Sequence, residues 1–316
     1  MQIAHLSPTQ LIERIKDPGI YIETGPFTIH LQTAVAHIAE GIRLLYEDFP
    51  ILENSGVADF HISFIRTRSL RPWVRPEVRF RLDSESPFAP LPLEQAFPMF
   101  EWCFNWCISR HANQYLVIHA AAVERDGYAT ILPGPPGSGK STLCAALVIR
   151  GWRLLTDELT LVAPATNMIA ALSRPIALKN RSIDVIRSID PQTAFGPICQ
   201  DTAKGAVGHM RPPTKSVLHV GDPALPRWIV FPTYKTKGAM NARPMSKGQT
   251  FMWFARSSFN YTLLGLTGFE VLSNLVDRAD CFTLEYSNLH DVIEWFDGFD
   301  PRELAAAANS AHASQA

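Results

Sequence analysis

The run Gly134-Pro135-Pro136-Gly137-Ser138-Gly139-Lys140-Ser141 constrains this chain more than any other feature, because it satisfies G-x-x-x-x-G-K-[ST] in full. Glycines let the backbone turn so that successive N–H groups point inward at phosphate oxygens, and a side chain at Gly139 would block that approach. Lys140 supplies a compact positive charge for the β- and γ-phosphates, and the Ser141 hydroxyl suits the shell of a magnesium ion. At average composition the pattern arises by chance in about one chain of this length in a hundred. The flanks agree with it. Tyr128 to Leu132 reads as a strand running into Gly134, and Thr142 to Ile149 reads as a helix whose N-terminal amides and dipole favour anions. Residues Gly134 to Thr142 are therefore expected to bind ATP with Mg2+.

A helix from Ser141 to Arg150 carries the chain roughly 15 Å from the phosphates, and an extended return through Trp152 to Thr156 brings it back. Asp157 and Glu158 are thus expected beside the phosphate loop. Of two adjacent carboxylates there, one can hold magnesium and the other can deprotonate an attacking hydroxyl. A solvated turn at a strand end is the plainer alternative.

Upstream, Tyr21 to Leu31 reads as one strand, followed by an amphipathic helix through Val35, Ile38, Ile42 and Leu45. Ala58 to Arg66 and Glu77 to Leu82 alternate as strands, and Ser84 to Leu93 is a Pro-rich loop. Phe97, Phe100, Phe104 and Ile108 mark a further helix, and Trp102 and Trp106 beside that stripe read as core rather than as a cofactor box. Tyr115 to Glu124 is strand-like, and Asp126-Gly127 supplies a tight hairpin turn back to Tyr128. The pattern predicts a small α+β domain over 1–112, a mixed α/β nucleotide domain over 113–308 and a disordered Ala/Ser-rich tail over 309–316.

With 47% hydrophobic residues among 316, the chain can bury a substantial core. A formal charge of −1 and a charged fraction of 19% leave no global field to draw it onto nucleic acid or an anionic membrane, so neither is an expected partner. Met1 to Pro18 interleaves charged and apolar residues, unlike a signal peptide, and no stretch has the apolar length of a membrane span, so the expected location is cytoplasmic. Five cysteines, an odd number, argue against a disulfide framework; Cys103 and Cys107 share a helix face as buried thiols.

From His119 to Val162 the chain reads HAAAVERDGYATILPGPPGSGKSTLCAALVIRGWRLLTDELTLV and resembles the catalytic core of HPr kinase/phosphorylase. That family has a histidine on a strand, a hairpin, the phosphate loop, and then "RGHRLIADD". Here His119 precedes Gly134 by fifteen residues, and Asp157 and Glu158 follow Lys140 by seventeen and eighteen. Read alone, a histidine beside Val117, Ala121 and Val123 is a packed core residue; the resemblance implies a site role. GPICQDTAKGAVGHMRPP, PRWIVFPTYK and SSFNYTLLGLTGF are similar to the HPr-kinase-related kinase A group. The resemblance implies a P-loop kinase domain like the C-terminal domain of phosphoenolpyruvate carboxykinase, with self-association as in the hexameric HPr kinases. It also implies a small peptide-binding partner of the PqqD-like type. The family's two aspartates stand here as Asp157 and Glu158, and there is no copy of "EIRGLGI", so the resemblance implies neither the reverse reaction nor HPr as substrate.

The segment Asp201 to Pro213 gathers glycines with Lys204, His209 and Arg211. It reads either as a mobile flap whose Arg211 meets the γ-phosphate or as an exposed basic loop. The expected chemistry is kinase transfer of the γ-phosphoryl group to a hydroxyl, with a serine or threonine of a small protein or peptide as acceptor. Asp157 is the expected proton acceptor, tuned from behind by His119; Glu158 and Ser141 support the metal, and Lys140 steadies the transferring charge. The alternatives are an ATP-gated binding module and a kinase for a small metabolite.

Overall fold

Alternation of buried and half-exposed positions organises the first part of the protein. A computed structural model describes residues 1–53, 57–67 and 76–299, so the tail expected at 309–316 lies outside the described residues. Strands β1 (Ile20–Thr24), β2 (Phe27–Thr33), β3 (Ile51–Leu52), β4 (Phe60–Arg66), β5 (Glu77–Leu82) and β6 (Leu91–Pro92) form one sheet in the order β3-β1-β2-β4-β5-β6. The single strand expected over 21–31 is thus two strands of a hairpin. Gly25, at φ 60, turns the chain between them, and alternation runs on across the turn, so periodicity alone does not reveal it. One sheet face, with Ile22, Ile29, Ile62 and Phe80, packs against helices α1 (Pro8–Lys16), α2 (Ala36–Leu45) and α3 (Ala96–His111). On α3 the predicted stripe of Phe97, Phe100, Phe104 and Ile108 is buried, whereas Trp102 is 44% exposed, which corrects its reading as core.

The remaining strands are β7 (Leu116–Arg125), β8 (Tyr128–Pro133), β9 (Arg153–Thr156), β10 (Leu159–Val162), β11 (Ile169–Ala170), β12 (Ile176–Lys179), β13 (Cys199–Thr202), β14 (Gly205–Met210), β15 (Leu225–Tyr234), β16 (Asn241–Pro244) and β17 (Asp280–Tyr286). An eight-stranded mixed sheet runs β11-β10-β7-β8-β15-β17-β16, with β9 also on β7, and β12-β14-β13 form a separate three-stranded sheet. The hairpin β7–β8 turns at Asp126 and Gly127, both at positive φ. The central strands of the large sheet, β7, β8 and β15, are buried on both faces, and their residues alternate between two cores. Ala121, Val123, Trp228 and Val230 meet α4 (Lys140–Ile149), α5 (Arg181–Ile189) and α9 (Leu289–Asp297); Ala120, Ala122, Ile229 and Phe231 meet α7 (Lys247–Ser257) and α8 (Tyr261–Arg278).

The two sheets share a core. Val117 of β7 and Leu159 and Leu161 of β10 belong to the same apolar cluster as Ile22 and Phe100. Across this junction Arg174 pairs with Glu101 of α3 at 2.5 Å, both side chains almost fully buried, and its guanidinium lies 4.0 Å from the centre of the Phe104 ring. Tyr46 donates to the same Glu101 at 2.6 Å. Beside it, α6 (Thr214–Leu218) bonds Asp48 through Thr214. Among the described residues no helix is long and apolar enough to cross a membrane.

Candidate functional site

Strand β8 delivers the chain into the glycine-rich turn, and α4 leaves it at Lys140. Two glycines are sterically required. A Cβ at Gly134 would stand 2.6 Å from Ser138 Oγ, and one at Gly139, whose φ is 96, would collide with the Tyr286 hydroxyl. Tyr286 itself donates to Gly139 O at 3.3 Å, and Tyr234 N donates to Ser138 O at 3.0 Å, so two strand ends brace the turn from outside. Lys140 is only 8% exposed; its ammonium donates to Gly134 O at 2.6 Å and Pro135 O at 3.3 Å. Burial lowers its pKa, against the opposing charges of Glu158 and Asp157, with Lys179 adding to the lowering.

The acidic pair sits where the strand on the far side of β7 is bent. Thr156 pairs with Ala122 and Leu159 with His119, and between these two anchors Asp157 and Glu158 are turned out of the ladder. The bend sends the two carboxylates to different places. Asp157 is 6% exposed: Oδ2 accepts the Ala177 amide at 3.0 Å, the nearby Ser141 hydroxyl favours its charged form, and Oδ1 is buried with no partner. Burial first, then the neighbouring Glu158 charge, raise its pKa to about 7. Glu158 is a third exposed, and its Oε2 lies 3.4 Å from His119 Nε2. Burial pushes Glu158 up, but the His119 hydrogen bond and the charges of Lys179, His119 and Lys140 outweigh it and hold the group well below the carboxylate range.

His119 reaches Glu158 because of its place on β7. On the same strand face, Val117 belongs to the first core and Ala121 and Val123 to the α4 core, and His119 falls at the seam between them. Phe259 covers its other side at 6.0 Å between ring centres, held by Phe259 N donating to Val117 O at 2.8 Å and by Asn260 bonding Val117 N and Tyr115 O.

His119, Pro136, Gly137, Gly139, Lys140, Ser141, Thr142 and Glu158 all line one cleft. Asp157 lies behind it, in the wall of a smaller cavity that Glu158 shares. His119 contacts Glu158 and not Asp157, so the expected arrangement, with His119 backing Asp157, is reversed. Arg211 is not brought to the cleft: it pairs with Glu47, across the junction with the first sheet. The segment expected as a flap or loop is largely β13 and β14, and His209 is buried at 3% against Phe97. Sequence reasoning missed Lys179, Tyr234, Tyr286 and Phe259, all in the cleft wall. None carries a local motif; each arrives from a distant strand end or connection.

Chemically, the turn can offer backbone amides and Lys140 to an oxyanion, and Glu158 can accept a proton beside it. Among the described residues no group of three or more His, Cys, Asp or Glu could hold a metal. Ser141 and the nearby Asp157, whose buried Oδ1 has no partner, do fit magnesium, which is commonly bound by one or two protein oxygens, water and substrate phosphates.

No family model and no curated protein matches the chain. Among solved structures it is similar to the Hpr(Ser) kinase/phosphatase from Coxiella burnetii, at 13% identity over 61% of this chain and 98% of that one, with a TM-score of 0.27.

Proposed function

We propose that the protein is a phosphotransferase that moves the γ-phosphoryl group of ATP, with Mg2+, to a hydroxyl, the acceptor being a serine or threonine of a small protein or peptide. The observation that carries the reading is the Glu158–His119 contact opening into the same cleft as Gly137, Gly139, Lys140, Ser141 and Thr142. A proton acceptor beside a phosphate cradle is what hydroxyl phosphorylation needs, and simple nucleotide retention does not.

In this reading Ser141 and Asp157 hold the magnesium, which when bound neutralises phosphate charge. The amides of the glycine turn and Lys140 hold the phosphates. Glu158 accepts the acceptor's hydroxyl proton as that oxygen bonds to the γ-phosphorus and the bond to the bridging oxygen breaks, leaving ADP. His119 orients the Glu158 carboxylate. Against burial, His119, then Lys179 and last Lys140 keep Glu158 ionised and so able to take that proton.

The test is incubation with γ-labelled ATP and Mg2+ in cell extract, with Lys140→Ala as control. Label on a protein or peptide hydroxyl, lost in the variant, supports the reading. Label released only as inorganic phosphate supports an ATP-gated binding module instead.

A further inference from the structure

The cleft is larger than one nucleotide requires. Its volume is about 1400 Å³, against roughly 300–1,000 Å³ for a typical small-molecule site. Its ends also differ in chemistry. One end follows the phosphate loop past Tyr286 to Asn288. The other is lined by Met99, Trp102 and Trp106 of α3, with Leu91 of β6 packed beside that helix.

The α3 end adjoins the proton acceptor. Glu158 lines the large cleft and also the small cavity beneath it, whose wall includes Glu101 and Asn105 of the same helix. The tryptophans there are fixed: Phe88 lies 4.4 Å from the Trp102 ring and 5.1 Å from the Trp106 ring, and Trp106 packs edge-on to Phe80. A pre-formed aromatic wall costs a ligand little ordering, and Trp102 leaves much of its apolar surface exposed.

We propose that this end is the acceptor subsite and that it takes a hydroxyl carried on an apolar body, aromatic or branched aliphatic. The proposal rests on the phosphotransfer reading and deepens it. In a peptide the acceptor is a serine or threonine flanked by such a side chain; a small apolar alcohol shares the chemistry. The tryptophan wall holds the apolar body while the hydroxyl meets Glu158.

The experiment is calorimetric titration of the full protein, saturated with Mg2+ and the β,γ-imido analogue of ATP, using three probes: N-acetyl-Phe-Ser-amide, N-acetyl-Gly-Ser-amide and 2-phenylethanol. The aromatic peptide is expected to bind about tenfold tighter than the glycine peptide. Trp102→Ala and Leu91→Ser, on α3 and on the strand packed beside it and neither fully buried, are each expected to remove that preference. Binding of 2-phenylethanol with the same dependence also supports the subsite and identifies non-peptide alcohols as its ligands. Equal affinities for the two peptides, no binding of any probe, or a preference untouched by both variants overturns the proposal. Parallel reactions with γ-labelled ATP separate the two levels. Tryptophan-dependent binding without label transfer leaves a binding site for apolar hydroxyl compounds standing and removes the phosphotransfer reading, and with it the acceptor role. Equal labelling of both peptides keeps phosphotransfer and overturns the subsite.

Discussion

His119 Nε2 stands 3.4 Å from Glu158 Oε2, across the bend that interrupts pairing on β7. Asp157, one residue earlier, directs its carboxylate to the Ala177 amide in the wall of the smaller cavity instead. Two adjacent acids therefore serve two different surroundings, and their substitutions are expected to separate.

Glu158→Gln keeps the side chain's shape and removes the proton acceptor. Phosphoryl transfer is expected to fall by about 10²–10⁴-fold with ATP affinity nearly unchanged. Asp157→Asn is expected instead to raise the Mg2+ concentration needed for half-maximal rate. Steady-state rates across a magnesium titration distinguish the two; equal magnesium dependence in both variants contradicts the division of roles.

Gly139→Ala places a methyl against the Tyr286 hydroxyl at a backbone φ of 96. Equilibrium ATP binding is expected to weaken at least about tenfold. Tyr286→Phe in the same chain removes the colliding oxygen and is expected to restore part of the affinity, the remainder being backbone strain. A double variant no better than Gly139→Ala would show that Tyr286 does not brace the turn.

Arg174→Ala leaves Glu101 buried without its cation. A loss of about 3–5 kcal/mol in chemical denaturation is expected. Replacing Arg174 by Met together with Glu101→Leu is expected to cost much less, because no uncompensated charge remains. Similar losses in the single and double variants would contradict this account of the junction.

Burial lowers the pKa of His209, with the charges of Arg174 and Lys179 acting the same way against Glu101 and Glu158. The folded state therefore takes up its proton at lower pH than the unfolded chain, whose histidines titrate near about 6.5. Below that pH the unfolded state binds more protons, so this contribution to stability is present above about pH 6.5 and is lost as pH falls toward the folded value, by up to about 1.4 kcal/mol per pH unit. Urea unfolding of wild type and His209→Gln between about pH 8 and 5 checks it. The variant's stability is expected to fall less steeply with acid; identical slopes would contradict the assignment.

Much of the central scaffold was legible because its signals are local. The strand before Gly134, the helix after Lys140, the Asp126-Gly127 turn and the return to Asp157 are each written within a few residues of where they act. The hairpin at Gly25 was not, because apolar alternation continues through it and masks the reversal. The partner of His119 was not, because it depends on a bend that parts Asp157 from Glu158, and adjacency in sequence gives no direction to either side chain. Arg211 looked available for a phosphate because its charge is visible in sequence and Glu47, far upstream, gives no sign of neutralising it. Trp102 looked like core because helical spacing identifies a stripe but not that the next face opens into a cleft.

The most direct test of the central claim is single-turnover transfer of label from γ-labelled ATP and Mg2+, in cell extract containing the acceptor, by wild type and Glu158→Gln matched for bound ATP. The account predicts labelled acceptor with wild type and a loss of at least about a hundredfold with the variant. Transfer by Glu158→Gln at the wild-type rate, or label from wild type appearing only as inorganic phosphate, would contradict it.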